Sequence, residues 1–239
     1  MTKINELIIN GKSTADFPFD VYVTKNAGYN YAKKKNVLFE NTYGTGAIKN
    51  ENNAYPPIDK TYTLYCPYAT LKDMREVTRW ISDSGTLIAS DESDVFYEIL
   101  DVSVADTPLH EVTGYQVELV FTTMPFGYEH NESVKQFLSG ETLINSTNAP
   151  MYPRIDVYGT SSSEQSVQIG NQVVKIRTLN EKVTIECKPL EQTVLDNSGR
   201  ELNSVMSGDF FEIKKETTNE ITLSSGISRI EITERWAWL

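Results

Sequence analysis

Apolar and polar residues alternate along much of this chain, which is the pattern of β-strands with one buried face. The clearest run is YQVELVF, in which Gln116 and Glu118 separate large apolar side chains. Because successive side chains of a strand point to opposite sides, this spacing places the apolar set on one face. Pro125 lacks a ladder donor and ends the strand, and Gly127 permits the backbone to turn after it. The pattern predicts a half-buried strand that leaves its sheet through buried aromatic residues.

Short strands of the same kind are predicted in both halves of the chain. In the first half they cover residues 7–9, 21–23, 62–65, 86–89, 95–100 and 115–121. Beyond residue 150 they cover 154–158, 166–169, 172–178, 183–187, 210–213, 220–223 and 228–233, with glycines between them. Many short strands with regular turn signals indicate a β-sandwich.

One segment instead has the spacing of an amphipathic helix. Thr70 can cap its N-terminus, with Asp73 in the first turn. Apolar residues then recur at three-to-four spacing, which predicts a helix over residues 71–82 that packs on a sheet. The apolar stripe consists of Leu71, Met74, Val77 or Thr78, and Ile81, and the packing is expected through Leu71, Met74 and Ile81.

The apolar periodicity fades between residues 129 and 150, where the chain reads EHNESVKQFLSGETLINSTNAP. Polar stretches with little periodicity are typical of connections between domains. We therefore expect two domains, residues 1–138 and residues 139–239, with the last strand over 228–236. The expected class is mainly β, with the helix over 71–82 in the N-terminal domain and a β-sandwich as the C-terminal domain.

A long segment rich in Asn, Lys, Gly and Tyr interrupts the strand pattern at residues 30–57. Its composition predicts a long loop or an extended arm hairpin. The segment is too long for a simple hairpin turn and too polar for a core, and long ordered loops usually make contacts. Tyrosine is frequent in protein interfaces and in sugar sites, because it offers a large apolar face and a hydroxyl. The alternative is that a tyrosine is an ordinary structural residue of a strand, which we favour for Tyr62 and Tyr65. We expect an oligomer interface that contains Tyr29, Tyr31, Tyr43 and Tyr55.

The chain is acidic, with 33 Asp and Glu residues against 22 Lys and Arg residues and a formal net charge of -11. Its basic residues cluster only at 33–35. Proteins that bind duplexes neutralise phosphates with clustered basic side chains, so we expect no affinity for nucleic acid or for anionic membranes. The N-terminus lacks an apolar core of signal-peptide length, and no segment is apolar enough to span a bilayer. We expect a soluble protein made in the cytoplasm.

Residues that usually carry catalysis are sparse. His110 and His130 are the only histidines, and neither has partners at the spacing of a metal site or a catalytic triad. The acidic turn at 91–94 lacks the glycine and the final glutamate of a calcium loop. Cys66 and Cys187 lie far apart and are expected to be reduced. The sequence predicts no enzyme, no catalytic residue, no cofactor and no metal.

Two parts of the sequence resemble a known family. The first is the block at 96–128, FYEILDVSVADTPLHEVTGYQVELVFTTMPFGY, which follows the predicted helix. The second is the closing stretch IEITERWAWL, in which Ile230 and Ile232 lead to the pair Arg235 and Trp236. Together they resemble the distal tail protein (Dit) of long-tailed (siphovirus) bacteriophages, the hub of the tail tip or baseplate. Two departures are Glu234, where the family often has Pro, and residues 216–219, where it often has a Pro-Gly turn.

The resemblance implies a structural role. The N-terminal domain would be a β-sandwich with one α-helix that assembles into a hexameric ring, and the C-terminal domain would be a galectin-like β-sandwich. The ring would join the tail tube to the tail-tip and adsorption apparatus at the virion tail tip, after assembly in the host cytoplasm. The implied partners are further copies of the chain, as a homo-hexamer or as a back-to-back dodecamer in isolation, and three other proteins: the major tail (tube) protein, the tail-associated lysin or tail-tip protein, and a receptor-binding protein.

The alternative function is a carbohydrate-binding module for attachment to the host cell wall. A galectin-like fold does not establish sugar binding, because one fold hosts many functions. Galectin-type sites use a histidine, and the second predicted domain contains none. Elution as a hexamer or dodecamer would favour the hub, whereas retention on a polysaccharide column would favour the module.

Overall fold

The computed structural model describes residues 5–40, 44–50, 54–105, 109–110 and 113–239. Strands dominate these residues, and they contain a single α-helix, α1 (Leu71–Trp80). The predicted class, mainly β with one helix, is confirmed. The chain divides into an N-terminal unit, Met1–Tyr128 with Leu239, and a C-terminal unit, Glu129–Trp238.

The main sheet of the N-terminal unit is antiparallel and has the strand order β2-β1-β7-β8-β10-β6-β3, with β9 beside β10 and β11 beside β8. Asn26, just after β3, donates a hydrogen bond to Asn5, just before β1, over 3.2 Å. The two ends of the sheet therefore approach each other, and the sheet curls around a core. The strands are β1 (Leu7–Ile9), β2 (Lys12–Ser13), β3 (Tyr22–Lys25), β4 (Val37–Glu40), β5 (Ala47–Asn50), β6 (Ile58–Pro67), β7 (Gly85–Ala89), β8 (Val95–Ala105), β9 (Leu109–His110), β10 (Gly114–Thr123) and β11 (Gly127–Glu129), with short 3-10 helices at Thr14–Asp16 and Ser90–Glu92.

The two long central strands supply much of this core. In β10, Leu119 and Phe121 are fully buried, and the ladder places them opposite Tyr62 and Lys60 of β6. The alternation predicted for β10 is confirmed, because its apolar positions face inward while Gln116 is exposed.

The aromatic residues that follow β10 are buried, as the sequence predicts. Phe126 is 5% exposed and meets the ring of Tyr55 edge to face, with 5.2 Å between the ring centroids. A Cβ atom on Gly127 would lie only 2.8 Å from the Val95 side chain. Glycine is therefore required where β11 returns to the sheet beside β8.

Helix α1 begins at the predicted cap. The Thr70 hydroxyl accepts a hydrogen bond from the Asp73 amide, and the Asp73 carboxylate accepts one from the Thr70 amide over 2.7 Å. The bond from the Thr70 amide, together with one that the Thr70 hydroxyl donates to the same carboxylate, lowers the pKa of Asp73. The helix ends at Trp80, and not at residue 82 as predicted, because Ile81 has extended backbone angles.

The buried face of α1 differs from the predicted stripe. Val77 and Trp80 are 1% and 6% exposed, whereas Leu71 is 62% exposed. Met74 and Ile81 are half-buried and pack against the core. The prediction was wrong at Leu71, because the helix meets the core mainly through its last turn.

The C-terminal unit is a sandwich of two five-stranded antiparallel sheets. One has the order β12-β21-β14-β17-β18, and the other has the order β13-β20-β15-β16-β19. Their inner faces share a core of aliphatic side chains that includes Ile155, Ile185 and Ile221. The strands are β12 (Ser133–Phe137), β13 (Thr142–Asn145), β14 (Arg154–Ser161), β15 (Gln165–Ile169), β16 (Gln172–Ile176), β17 (Leu179–Glu186), β18 (Thr193–Leu195), β19 (Met206–Ser207), β20 (Thr217–Leu223), β21 (Ile227–Glu234) and β22 (Ala237–Trp238), with a 3-10 helix at Asn203–Val205.

Two boundaries differ from the expected ones. The units separate after Tyr128 and not after residue 138, because β12 pairs with β21, where Lys135 lies opposite Ile232. The last long strand is Ile227–Glu234 and not 228–236. It ends before Arg235, whose guanidinium instead forms two hydrogen bonds with the Glu186 carboxylate, over 2.6 Å and 3.1 Å.

Candidate subunit interface

A two-stranded hairpin stands apart from the main sheet of the N-terminal unit. Among the described strands, β4 and β5 pair with each other alone, and Leu38 lies opposite Lys49. We term residues 33–50 the arm; its residues 41–43 lie outside the described residues. Every residue of β4 is exposed. Because an isolated two-stranded hairpin is only marginally stable in water, the arm needs a surface to pack against.

The arm exposes three consecutive large apolar residues. Val37, Leu38 and Phe39 are 50%, 65% and 57% exposed. Since neighbouring residues of a strand point to opposite sides, both faces of β4 are apolar. Contiguous exposed apolar surface marks sites of protein contact. A partner can therefore bury the arm from either side.

The arm is also basic. Lys33, Lys34 and Lys35 are exposed, and the Lys33 ammonium lies 5.9 Å from the centre of the Tyr31 ring. With a fourth lysine in β5, the arm holds four lysines against one glutamate, on a chain whose net charge is -11. The Lys35 amide donates to the Ala54 carbonyl over 3.0 Å, which ties the two legs of the hairpin together. The positive charge of the arm favours contact with an acidic surface of a partner.

Two of the predicted interface tyrosines form an exposed pair at the base of the arm. Tyr29 is 75% exposed and Tyr31 is 47% exposed, and their ring centroids are 5.7 Å apart. The Tyr29 hydroxyl donates a hydrogen bond to the Leu239 carbonyl over 2.9 Å. The side-chain amide of Asn30 donates one to the Asp59 carbonyl over 3.0 Å. These bonds hold the segment in place, so the two rings present a fixed aromatic surface.

The other two predicted tyrosines differ from this pair. Tyr55 is half-buried and packs against the core of the N-terminal unit, with its ring on Phe126. Its main contacts are therefore internal. Tyr43 lies outside the described residues.

A buried ion pair that sequence reasoning missed lies next to this segment. Lys60 follows Asp59 in β6 and is fully buried, and its Nζ lies 2.7 Å from Oε2 of Glu92 and 3.9 Å from the centre of the Tyr97 ring. Burial raises the pKa of Tyr97, and the Glu92 carboxylate adds to the rise. The signal was present in the sequence, because Lys60 occupies an inward position of the alternation in β6.

Glu92 and the two cysteines, which were weighed for chemistry, occupy structural positions. Glu92 of the acidic turn binds Lys60, and the described part of the chain holds no cluster of three or more metal-binding side chains. Cys66 and Cys187 are fully buried, which raises their thiol pKa values to about 11 and about 12. Both thiols are therefore protonated at neutral pH. Across the residues described, no helix has the length and apolar character needed to cross a membrane.

Known proteins share this architecture. No family model matches the chain, and no curated protein matches it. The crystal structure of the Dit (gp 19.1) protein of phage SPP1 is similar with a TM-score of 0.77 and 14% identity, over 99% of this chain and 100% of that chain. The chain has the Dit fold.

A chain in the structure of the phage P2 baseplate, in its activated conformation with Ca, shares the Dit fold more distantly. Its TM-score is 0.51 at 10% identity, over 98% of each chain. The SPP1 Dit protein is described as a paradigm of the hub adsorption apparatus in phages that infect Gram-positive hosts. The resemblance drawn from the block at 96–128 and the closing strand is confirmed at the level of the fold.

Proposed function

We propose that the protein is a structural hub of a phage tail tip. In this role it forms a hexameric ring that joins the tail tube to the tail-tip and adsorption apparatus. The observation that carries the proposal is the similarity to SPP1 Dit over 99% of this chain and 100% of that chain. A single β-sandwich is shared by many unrelated proteins, whereas this similarity covers both units together.

The arm supports assembly into a ring. In a ring, one surface of each subunit meets a different surface of the next subunit, and the contact repeats until it closes. The arm offers one such surface, with apolar residues on both faces of β4 and lysines at its base. The exposed Tyr29 and Tyr31 rings extend it, as tyrosine is enriched in interface cores.

The proposed partners follow from this role. Copies of the chain form a homo-hexamer, or a back-to-back dodecamer when the protein is isolated. The other proposed partners are the major tail (tube) protein, the tail-associated lysin or tail-tip protein, and a receptor-binding protein. The protein acts at the virion tail tip after assembly in the host cytoplasm, and its role is structural and not enzymatic.

Removing the arm tests the proposal. The hydrogen bond between Lys35 and Ala54 shows that the two legs lie side by side, so a short Gly-Ser linker can replace residues 34–54. We expect folded monomers, measured by light scattering during gel filtration and by circular dichroism. Leu190→Ser is the matched control, because Leu190 is 93% exposed in the C-terminal unit, and this variant should assemble normally. A deletion variant that still elutes at the size of the ring would contradict the role given to the arm.

A further inference from the structure

An acidic cleft lies where the two ends of the main sheet approach each other in the N-terminal unit. Its volume is about 320 Å³, at the lower end of the roughly 300–1,000 Å³ typical of ligand sites. It is lined by the residues before β1, by the segment after the first 3-10 helix and by the start of β3. The lining residues that matter here are Asn5, Glu6, Phe17, Phe19, Asp20 and Tyr22.

The floor of the cleft is aromatic and fixed in place. The ring centroids of Phe17 and Phe19 are 5.2 Å apart, and the Phe17 ring meets the Trp80 indole edge to face at 5.7 Å. The Trp80 indole in turn donates to the Lys12 carbonyl over 2.8 Å. Phe17 is buried, whereas Phe19 is half-buried and accessible to a partner. The floor is therefore rigid and apolar, which favours the insertion of an apolar side chain.

The rim of the cleft is polar and mainly acidic. Asp20 is exposed at the mouth and Glu6 lines the wall, where it also accepts a hydrogen bond from the Ser13 hydroxyl. Asp16 lies close by in the 3-10 helix and accepts a hydrogen bond from the Ser13 amide over 2.8 Å. Lys12, whose ammonium lies 4.8 Å from the centre of the Phe17 ring, offsets part of this charge. Among the described residues, three carboxylates stand against one ammonium, so the described part of the rim is acidic.

This chemistry suits a segment in which cations precede apolar residues. The arm is such a segment: Lys33, Lys34 and Lys35 stand two to five residues before the exposed side chains of Val37 and Leu38. Apolar side chains can fill the aromatic floor while the lysines reach the carboxylates of the rim. Opposite charges across an interface also set its orientation and exclude other pairings.

We propose that this cleft receives the arm of a second copy of the chain. The proposal rests on the ring function and names the surface that the arm contacts. The arm and the cleft are different surfaces of one subunit, so their contact runs head to tail, the type from which closed rings are made. The Leu38 side chain packs on Phe19, and the lysine triplet lies along Asp20 and its acidic neighbours.

Cross-linking between cysteines tests the contact directly. Chains that carry Leu38→Cys together with Asp20→Cys, or Leu38→Cys together with Tyr22→Cys, are oxidised with diamide and run on a denaturing gel without reductant. The native thiols, both fully buried, do not compete. We expect a ladder of covalent multimers that ends at the size of the closed ring. Leu38→Cys with Asp83→Cys is the matched control, because Asp83 is an exposed acid outside the cleft, and it should stay monomeric on the gel.

Charge reversal supplies an independent test. Asp20→Lys, and the triple change of Lys33, Lys34 and Lys35 to Glu, should each reduce the fraction of protein in rings, and their combination should restore it, whereas Asp83→Lys should leave it unchanged. Rings that form without a ladder from either cysteine pair, or a ladder equally strong in the Asp83 control, overturn the docking of the arm but leave the hub function standing. Absence of rings in the unaltered protein contradicts the hub function itself.

Discussion

Glu92→Gln is expected to destabilise the N-terminal unit, because it leaves a buried ammonium without its counter-charge. The Lys60 side chain is 0% exposed and its Nζ lies 2.7 Å from the Glu92 carboxylate. The segment that carries Tyr29 and Tyr31 is attached to the residue just before Lys60. The ion pair therefore stabilises the part of the unit from which the arm extends.

The expected loss in the free energy of unfolding depends on how deeply each charged group is buried. Breaking a buried pair by removing one partner typically costs about 3–5 kcal/mol, since the remaining charge stays desolvated. The Glu92 side chain is 17% exposed, so we expect a loss at the lower end of this range, about 3 kcal/mol. Replacing both residues with apolar ones, Lys60→Met with Glu92→Leu, should return the stability to within about 1 kcal/mol of the parent, because no charge is then buried.

Urea unfolding followed by tryptophan fluorescence measures this loss. Trp80 is the tryptophan of the N-terminal unit, so the other two, Trp236 and Trp238, are first changed to Phe. All variants are compared at one protein concentration, because assembly makes apparent stability depend on concentration.

The control is an exposed ion pair of the same unit. Arg79 and Glu76 are 3.1 Å apart in α1 with side chains 77% and 40% exposed, so Glu76→Gln should change the free energy of unfolding by at most about 0.5 kcal/mol. If Glu92→Gln costs no more than Glu76→Gln, the reasoning about Lys60 is wrong.

Two further predictions concern the core and the thiols. Trp80→Ala should cost about 3–5 kcal/mol, and Leu71→Ala should stay within about 0.5 kcal/mol. Equal losses in urea unfolding followed by circular dichroism, which does not depend on Trp80, would refute the assignment of the buried face of α1. Cys66 and Cys187, with pKa values raised to about 11 and about 12, should react slowly with iodoacetamide at pH 8 and rapidly after denaturation, since the thiolate is the reactive form. Rapid alkylation of the native protein, read by mass spectrometry, would contradict their burial.

Features that depend on local sequence could be predicted. The alternation of β10, its end at Pro125 and the capping box of Thr70 with Asp73 are all written within a few residues, and the structure contains each of them. Turn, cap and strand preferences act over this range, so no knowledge of distant residues was needed.

Features that depend on distant residues could not be predicted in this way. The boundary of the units depends on β12 pairing with β21, about a hundred residues later in the chain. The inward position of Lys60 was visible in the alternation of β6, but its partner Glu92 becomes apparent only when the sheet has formed. The part of α1 that meets the core was likewise set by the sheet, since Leu71 has the same apolar character as the buried Val77.

The sequence predicted that the segment at 30–57 makes contacts between subunits, but it predicted only some of the residues that are exposed there. An unusual polar and aromatic segment at 30–57 pointed to contacts, and Tyr29 and Tyr31 are exposed at the base of the arm. The structure contains the arm hairpin that was one of the two alternatives for this segment. Its apolar strand Val37–Glu40 was not singled out, although three successive large apolar residues in a polar segment were a visible signal. Whether a tyrosine faces the core, as Tyr55 largely does, depends on packing with the remote Phe126.

Negative-stain electron microscopy of the purified full-length protein, with its mass measured by light scattering, tests the central claim most directly. The hub function predicts rings with a central hole and six-fold symmetry, with the mass of six chains, or of twelve where two rings stack back to back. Monomeric particles without rings would contradict it, if the parent protein also elutes at the same volume as the arm-deletion variant.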